Sequence, residues 1–162
     1  QHDDVKPDAM LLGKALAGGV YPVSAVVGTS ELIGVFEPGS HGSTFGGNPL
    51  GCAVARAAMR VLVDEGLAER AATLGPPFLA RLAALKSPAV RGVRGLGLLI
   101  GIELHGPARP YCEALAREGV LCKETHDKVI RFAPPLIVTQ GELDWAFDRI
   151  ARVLSQPIGS AA

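Results

Sequence analysis

The sequence lacks an apolar run long enough to cross a lipid bilayer. A membrane-spanning helix needs about 18 consecutive apolar residues, and no stretch reaches that length although 48% of the 162 residues are hydrophobic. The sequence also lacks an excess of either charge, because 16 basic residues balance 16 acidic ones. We therefore expect neither a membrane nor a nucleic acid as partner.

Cysteine is scarce and poorly placed for cross-linking. The three cysteines, Cys52, Cys112 and Cys122, are widely spaced and form no CxxC pair. This spacing supports neither a disulfide framework nor a zinc site, so we predict no metal centre. We interpret the three side chains as reduced thiols of a cytoplasmic protein.

The sequence also lacks an initiator methionine. It opens on a polar segment, QHDDVKPD, which leads at once into the apolar run AMLLG. We interpret the chain as a piece of a longer protein. Its 20 glycines and 12 prolines predict frequent turns between short elements, as in an α/β protein.

The remaining residues predict a regular series of short elements. Two strands, AMLLG and YPVSAVVG, precede a group of helices, and then come strand, strand, helix, strand, strand and helix. Asn48 and Pro49 suit the N-cap and first position of a long helix. Thr139 and Glu142 have the spacing of a capping box, which predicts the start of the last helix.

Glycine and proline predict two interruptions in this series. The segment GPP, from Gly75 to Pro77, should break or kink a helix, because an internal proline costs about 3 kcal/mol. Gly95 should separate two β-type runs, AVRGVRG and LGLLIGIEL. One long helix divides the series into two groups, and we expect a boundary near residues 60–68.

Lys14 is the first candidate functional residue. It follows a short apolar run and precedes the flexible pair Gly18-Gly19. Partial desolvation at the end of a strand would make its amine nucleophilic toward carbonyls. The alternative is an ordinary solvated lysine at a turn.

Ser43 and Thr44 lie in a glycine-rich loop, HGSTFGGNP, that leads into the helix predicted from Asn48. Glycines let backbone amides approach an anion, the two hydroxyls can donate hydrogen bonds, and a helix N-terminus adds partial positive charge. The pattern therefore predicts a phosphate site, although it is not a Walker loop. An ordinary glycine-rich connection is the alternative.

Arg131 lies inside the apolar run VIRFAPPL. A guanidinium buried there needs a partner, because an unpaired buried charge is very costly. One candidate partner is a substrate carboxylate held by two hydrogen bonds. The other is an aspartate or glutamate of the chain itself.

Several long blocks of the sequence, taken in order, resemble one family. They are KPDAMLLGKALAGGVYPVSAVV, HGSTFGGNPLGCAVA, VRGLGLLIGIEL, GVLCKETH and IRFAPPLIVTQGELDWA, and they extend from about Val5 to Leu154. Together they are similar to the second half of the ornithine aminotransferase branch of the class III, fold-type I pyridoxal phosphate-dependent aminotransferases. The first block alone suits several class III members, whereas HGSTFGGNP and the last two blocks favour the ornithine branch.

The resemblance implies an α/β fold that forms the C-terminal portion of a fold-type I transferase. Residues 1–60 would complete the sheet of the large cofactor-binding domain, residues 61–156 would form the small C-terminal α/β domain, and residues 157–162 would be a tail. The implied reaction transfers the δ-amino group of ornithine to 2-oxoglutarate with pyridoxal 5'-phosphate as cofactor.

The resemblance also implies roles for the candidate residues. Lys14 matches the lysine that forms the Schiff base with pyridoxal phosphate and moves the substrate proton. Ser43 and Thr44 match a loop that reaches across a homodimer to the partner subunit's cofactor phosphate. Arg131 matches the arginine that grips a substrate carboxylate.

Some features of the family have no counterpart in these residues. They include the aspartate that pairs with the pyridinium, the main glycine-rich phosphate cradle and the aromatic residue that stacks on the ring. THDK, from Thr125 to Lys128, stands where the family has THGD. We therefore expect the chain to be inactive by itself. The alternatives are an acetylornithine or 4-aminobutyrate aminotransferase, or a truncated, non-catalytic product of a split gene.

Overall fold

The chain divides into two compact units, Gln1–Gly66 and Leu67–Ala162. The computed structural model describes residues 2–156, so the predicted tail, 157–162, lies outside the described residues. The division between the units follows the long helix that begins after Asn48. Whether these units coincide with the two domains of the family stays a prediction.

The first unit is built around a two-stranded antiparallel ribbon. Strand β1 (Ala9–Leu12) pairs with β2 (Ala25–Gly28), and a short 3-10 helix (Lys14–Ala17) lies between them. Two helices follow, α1 (Ser30–Ile33) and α2 (Pro49–Asp64). The second strand is therefore shorter than predicted, and α2 begins where Asn48 and Pro49 predict.

The ribbon exposes apolar side chains to solvent. Leu11 is 81% exposed, Val26 58% and Val27 56%. These side chains are exposed because no described segment covers them. By contrast, Ala17 at the end of the 3-10 helix is fully buried.

The second unit combines helices with a four-stranded antiparallel sheet. Its elements within the described residues are, in chain order, α3 (Leu67–Ala83), β3 (Val90–Leu96), β4 (Leu99–Leu104), α4 (Arg109–Arg117), β5 (Lys123–Thr125), β6 (Val129–Phe132) and α5 (Gln140–Leu154). The spatial order of the strands is β3-β4-β6-β5.

Only one face of this sheet packs against the core. Along β4, Ile100, Ile102 and Leu104 are buried, whereas Gly101 and Glu103 between them are partly exposed. The buried side chains join residues of α3, α4 and α5 in one hydrophobic cluster. The alternation is that of an antiparallel sheet with one covered face and one open face, and the open face is where Arg131 lies.

The predicted break at GPP does not occur. Helix α3 runs through both Pro76 and Pro77. Packing explains this, because Phe78 is 3% exposed in the core and its burial offsets the hydrogen bonds that the prolines cannot make. Gly75 also lies so close to Gly97 that a Cβ atom would come within 2.2 Å of the Gly97 carbonyl oxygen.

The turn between β3 and β4 is at Gly97. The prediction that Gly95 separates the two β-type runs is therefore wrong. Gly95 pairs with Ile100 inside the sheet. Gly97 has a φ of +55°, a left-handed conformation that glycine adopts without steric cost. The two β-type runs are therefore one hairpin with its turn two positions later than predicted.

Candidate active site

Lys14 is the first residue of the 3-10 helix, and Gly13 separates it from the end of β1. Its φ is +55°, which places a side chain with a Cβ atom in the left-handed region. Such a conformation costs about 1–3 kcal/mol and persists only where the surrounding structure imposes it. Buried Ala17 anchors the same short helix. Strained residues of this kind cluster at active sites.

The amine of Lys14 is accessible. The residue is exposed, and its side chain makes no hydrogen bond or ion pair with any described residue. The predicted partial desolvation is therefore absent from this chain, because no described segment covers the side chain. A carbonyl compound that enters the space beside Lys14 can therefore reach its amine.

A cavity of about 770 Å³ adjoins Lys14 within the first unit. It brings Lys14 together with the glycine-rich loop and with the start of α2, although these segments are far apart in sequence. Its lining includes Lys14, Tyr21, Ser24, Ser43, Asn48 and Cys52. Thr44 is exposed and does not line this cavity.

The loop before α2 positions Ser43 with a local hydrogen bond. The Gly46 amide donates to Ser43 Oγ over 2.9 Å, so the hydroxyl proton remains available to a ligand. A Cβ atom on residue 46 would lie 2.8 Å from Ser43 Cβ, so a larger residue than Gly46 would displace Ser43. The Thr44 side chain makes no hydrogen bond to any described residue, so its hydroxyl is free for a group outside this chain.

The start of α2 contributes less to anion binding than predicted. Asn48 Oδ1 accepts a hydrogen bond from the Gly51 amide at 2.7 Å, and the Asn48 carbonyl accepts one from the Cys52 amide at 3.1 Å. Pro49 has no N–H to offer. Among the described residues, the Leu50 amide is therefore the one backbone N–H of this turn that has no hydrogen-bond acceptor.

Arg131 lies in the second unit, on the open face of the sheet. Its side chain is exposed and has no ion pair or hydrogen bond with the described residues. The predicted buried guanidinium is therefore wrong, and so is the internal aspartate or glutamate partner. The reason is the strand alternation, which buries Ile130 and Phe132 and turns Arg131 outward.

The three cysteines form no disulfide with one another in the structure. Cys52, Cys112 and Cys122 are free thiols. Burial raises the pKa of Cys112 and raises that of Cys122 to about 12. Within residues 2–156, no three histidine, cysteine or carboxylate side chains are grouped so that they could hold a metal ion. No helix in the described part of the chain is long and apolar enough to traverse a membrane.

Comparison with known proteins shows which family the chain belongs to. The profile of the family described as "Aminotransferase class-III" matches residues 1–154. The chain belongs to the class III aminotransferases. It is 57% identical to an ornithine aminotransferase of Geobacillus sp. (strain WCH70) over 94% of this chain and 38% of the relative. It is 58% identical to that of Bacillus subtilis (strain 168), with the same coverage.

Solved structures show the same relationship. The chain superposes on the ornithine aminotransferase of Toxoplasma gondii with a TM-score of 0.90 and 44% identity, over 95% of this chain and 38% of that one. It superposes on an acetylornithine aminotransferase of Elizabethkingia anophelis with a TM-score of 0.89 and 46% identity, over 94% and 42%. The chain therefore spans about two fifths of the length of these class III relatives.

The residues around Lys14 fit the cofactor that this family uses. Pyridoxal phosphate presents an aldehyde and a phosphate. The cavity offers a primary amine at Lys14 for the first, and the hydroxyls of Tyr21, Ser24 and Ser43 for the polar atoms of the second. It is lined by no aspartate or glutamate. The cavity therefore provides partners for the aldehyde and the phosphate of the cofactor. It provides no carboxylate that could pair with the nitrogen of the cofactor ring.

Part of the cavity wall consists of residues that the sequence alone did not predict. Tyr21, Ser24 and Cys52 line the cavity but were not candidates. Tyr21 and Ser24 follow Lys14 in one conspicuous segment, so proximity to the lysine was a usable signal. Cys52 lies in the first turn of α2, and its place at the cavity could not be inferred without the fold.

Proposed function

We propose that the chain is the C-terminal part of an ornithine aminotransferase, which transfers the δ-amino group of ornithine to 2-oxoglutarate with pyridoxal phosphate. The observation that carries the proposal is the strained, accessible Lys14 beside a cavity that also holds Ser43. The identity of 57% and 58% to ornithine aminotransferases supports the choice of substrate. The free thiols of the described residues are consistent with a cytoplasmic enzyme.

When bound, pyridoxal phosphate would supply an electron sink to this reaction. Lys14 would hold the cofactor through Nζ, and the same amine would take up and return the substrate proton. An amine suits this task because it can accept and return a proton within hydrogen-bond reach. The hydroxyls of Tyr21, Ser24 and Ser43 orient the bound group in the cavity. Arg131 binds a substrate carboxylate.

Thr44 serves the second subunit of a homodimer in this proposal. Its hydroxyl has no partner in the described chain and does not line the Lys14 cavity. Ser43, its neighbour, does line that cavity. Two adjacent hydroxyls can in this way contact cofactor phosphates on the two sides of an interface.

The direct test of function uses a chimera in which this chain replaces the matching segment of the Bacillus subtilis ornithine aminotransferase. Ornithine, acetylornithine and 4-aminobutyrate are assayed side by side as amino donors to 2-oxoglutarate. Ornithine is expected to give the highest kcat/KM. A preference for acetylornithine would support the second candidate, which the TM-score of 0.89 to an acetylornithine aminotransferase keeps open.

Thr44→Ala in the chimera is expected to weaken cofactor binding by about 1.5–3 kcal/mol, the usual loss for a hydrogen bond to a charged group. A mixed dimer of one Lys14→Ala subunit and one Thr44→Ala subunit tests which subunit supplies Thr44 to each site. If the loop acts across the interface, one site carries both defects and the other carries neither. Two singly damaged sites would show that the loop acts within its own subunit.

Arg131→Leu in the chimera is expected to raise the Michaelis constants of the amino-acid and oxo-acid substrates. Loss of a charge-assisted pair with a buried partner costs about 2–5 kcal/mol. Arg117→Leu is the matched control, because Arg117 is also exposed and has no place in the proposed site. Unchanged Michaelis constants in Arg131→Leu would contradict the assigned role.

A further inference from the structure

Two of the three cysteines lie next to each other in the second unit. Cys112 belongs to α4 and is 6% exposed, and Cys122 follows that helix and is partly exposed. Gly119 has a φ of +85°, and the amide of the next residue, Val120, donates to the Leu115 carbonyl at 2.9 Å. This left-handed helix end turns the chain back along α4, and the turn brings Cys122 to Cys112.

The two thiols interact directly. Burial raises the pKa of both, and the hydrogen bond between them lowers the pKa of Cys112 and raises that of Cys122. A disulfide bond needs Cβ atoms about 3.5–4.5 Å apart, so only thiols that are already neighbours can form one without backbone movement. The third cysteine, Cys52, belongs to the other unit.

A cavity of about 370 Å³ gives a small molecule access to both thiols. Charged side chains of both signs form the rest of its polar wall. The lining includes Cys112, Cys122, Arg109, Glu113, Lys123 and Glu124. Arg109 Nη1 donates to Glu124 Oε1 at 2.9 Å, and this ion pair holds α4 against β5 beside the two cysteines.

We propose that Cys112 and Cys122 are a modification site, at which a disulfide bond forms when a small organic disulfide such as oxidised glutathione is in excess. The thiolate of Cys122, the more exposed residue, attacks one sulfur of the reagent and releases one thiolate. The thiolate of Cys112 then attacks Cys122 Sγ and displaces the second. The two thiol protons of the protein go to the two released thiolates, and two electrons pass to the reagent.

The new bond tethers the edge of the sheet to a helix. Strand β5 begins directly after Cys122, has three residues and is paired with β6 alone among the described strands. A covalent link to α4 adds a second attachment for this edge. Because burial raises the pKa of both thiols, little thiolate is present at neutral pH and the exchange is slow. The site therefore responds to sustained rather than brief oxidation.

Equilibration of the 162-residue chain with mixtures of reduced and oxidised glutathione, once folded and once in guanidinium chloride, tests the proposal. Free thiols are then alkylated, and linked peptides are identified by mass spectrometry. The equilibrium constant for the Cys112–Cys122 bond is expected to be at least about tenfold larger in the folded chain, because the fold holds the two thiols together. An equal or smaller constant in the folded chain would overturn the proposal.

Cys52→Ser is the matched control, since it removes the one cysteine of the chain outside the pair. This variant is expected to keep the full equilibrium constant. Cys122→Ser is expected to yield no intramolecular link and to stop at a glutathione adduct. Links to Cys52 as frequent as the Cys112–Cys122 link in the folded chain would show random pairing and would overturn the proposal.

Peptide mapping of the chimera covers poor folding of the isolated chain. The Cys112–Cys122 link is expected in the folded, dimeric chimera at the glutathione ratio that oxidises the chain. Its absence there would contradict the proposal. Neither measurement uses transaminase turnover, so the disulfide can fail while the proposed function stands, and the reverse.

Discussion

The 162-residue chain, given ornithine, 2-oxoglutarate and excess pyridoxal phosphate, is expected to show no transaminase turnover. Lys14 is accessible, but the cavity beside it is lined by no carboxylate that could pair with the ring nitrogen. A misplaced cofactor can cost orders of magnitude in rate. The chimera supplies the missing groups and is expected to turn over at an ordinary rate, about 10 per second.

The same experiment separates the enzyme from its non-catalytic alternative. An inactive chain with an active chimera means that these residues retain their part of the catalyst. Two inactive proteins, with the chimera folded and dimeric, would favour a degenerate, non-catalytic product. Turnover near 10 per second by the isolated chain would overturn the prediction.

Apolar side chains such as Leu11, 81% exposed, should also make the isolated chain self-associate.

Lys14→Ala in the chimera is expected to lower kcat by about 10²–10⁴-fold, the usual contribution of a positioned proton-transfer group. The absorbance band of the cofactor bound to the lysine should disappear in the same variant. Lys6→Ala is the matched control, since Lys6 is an exposed lysine of the same unit and does not line the cavity.

Lys14→Arg separates chemistry from charge. A guanidinium keeps the positive charge but stays protonated in proteins, so it cannot accept the substrate proton. This variant is expected to be as inactive as Lys14→Ala. Recovery of wild-type kcat in Lys14→Arg would show that the residue acts only through its charge.

Features that depend on neighbouring residues could be predicted from the sequence. Asn48 starts α2 and its side chain accepts from the Gly51 amide, as its residue type predicts. Thr139 and Glu142 form the predicted capping box at α5. These interactions close within one helical turn, so the residues that decide them stand beside each other in the sequence. The family could also be predicted from the sequence, because the blocks that resemble it are long and occur in the same order. The family match over residues 1–154 confirms that prediction.

Which distant residues meet depends on the folded chain and could not be predicted. The sequence predicted separate roles for Lys14 and Ser43, and the fold puts both on one cavity. It predicted a buried Arg131, and strand alternation turns the side chain outward.

Helix α3 shows why local rules fail at such points. In an isolated segment, the free-energy cost of two internal prolines exceeds the helix propensity of the neighbouring residues. In the fold, Phe78 and Leu82 of this helix are buried in the core at 3% and 0% exposure, and Gly75 fits against the turn at Gly97. These contacts join residues far apart in the chain, and their free energy is available only once the sheet has formed, so no local pattern could predict that the helix continues.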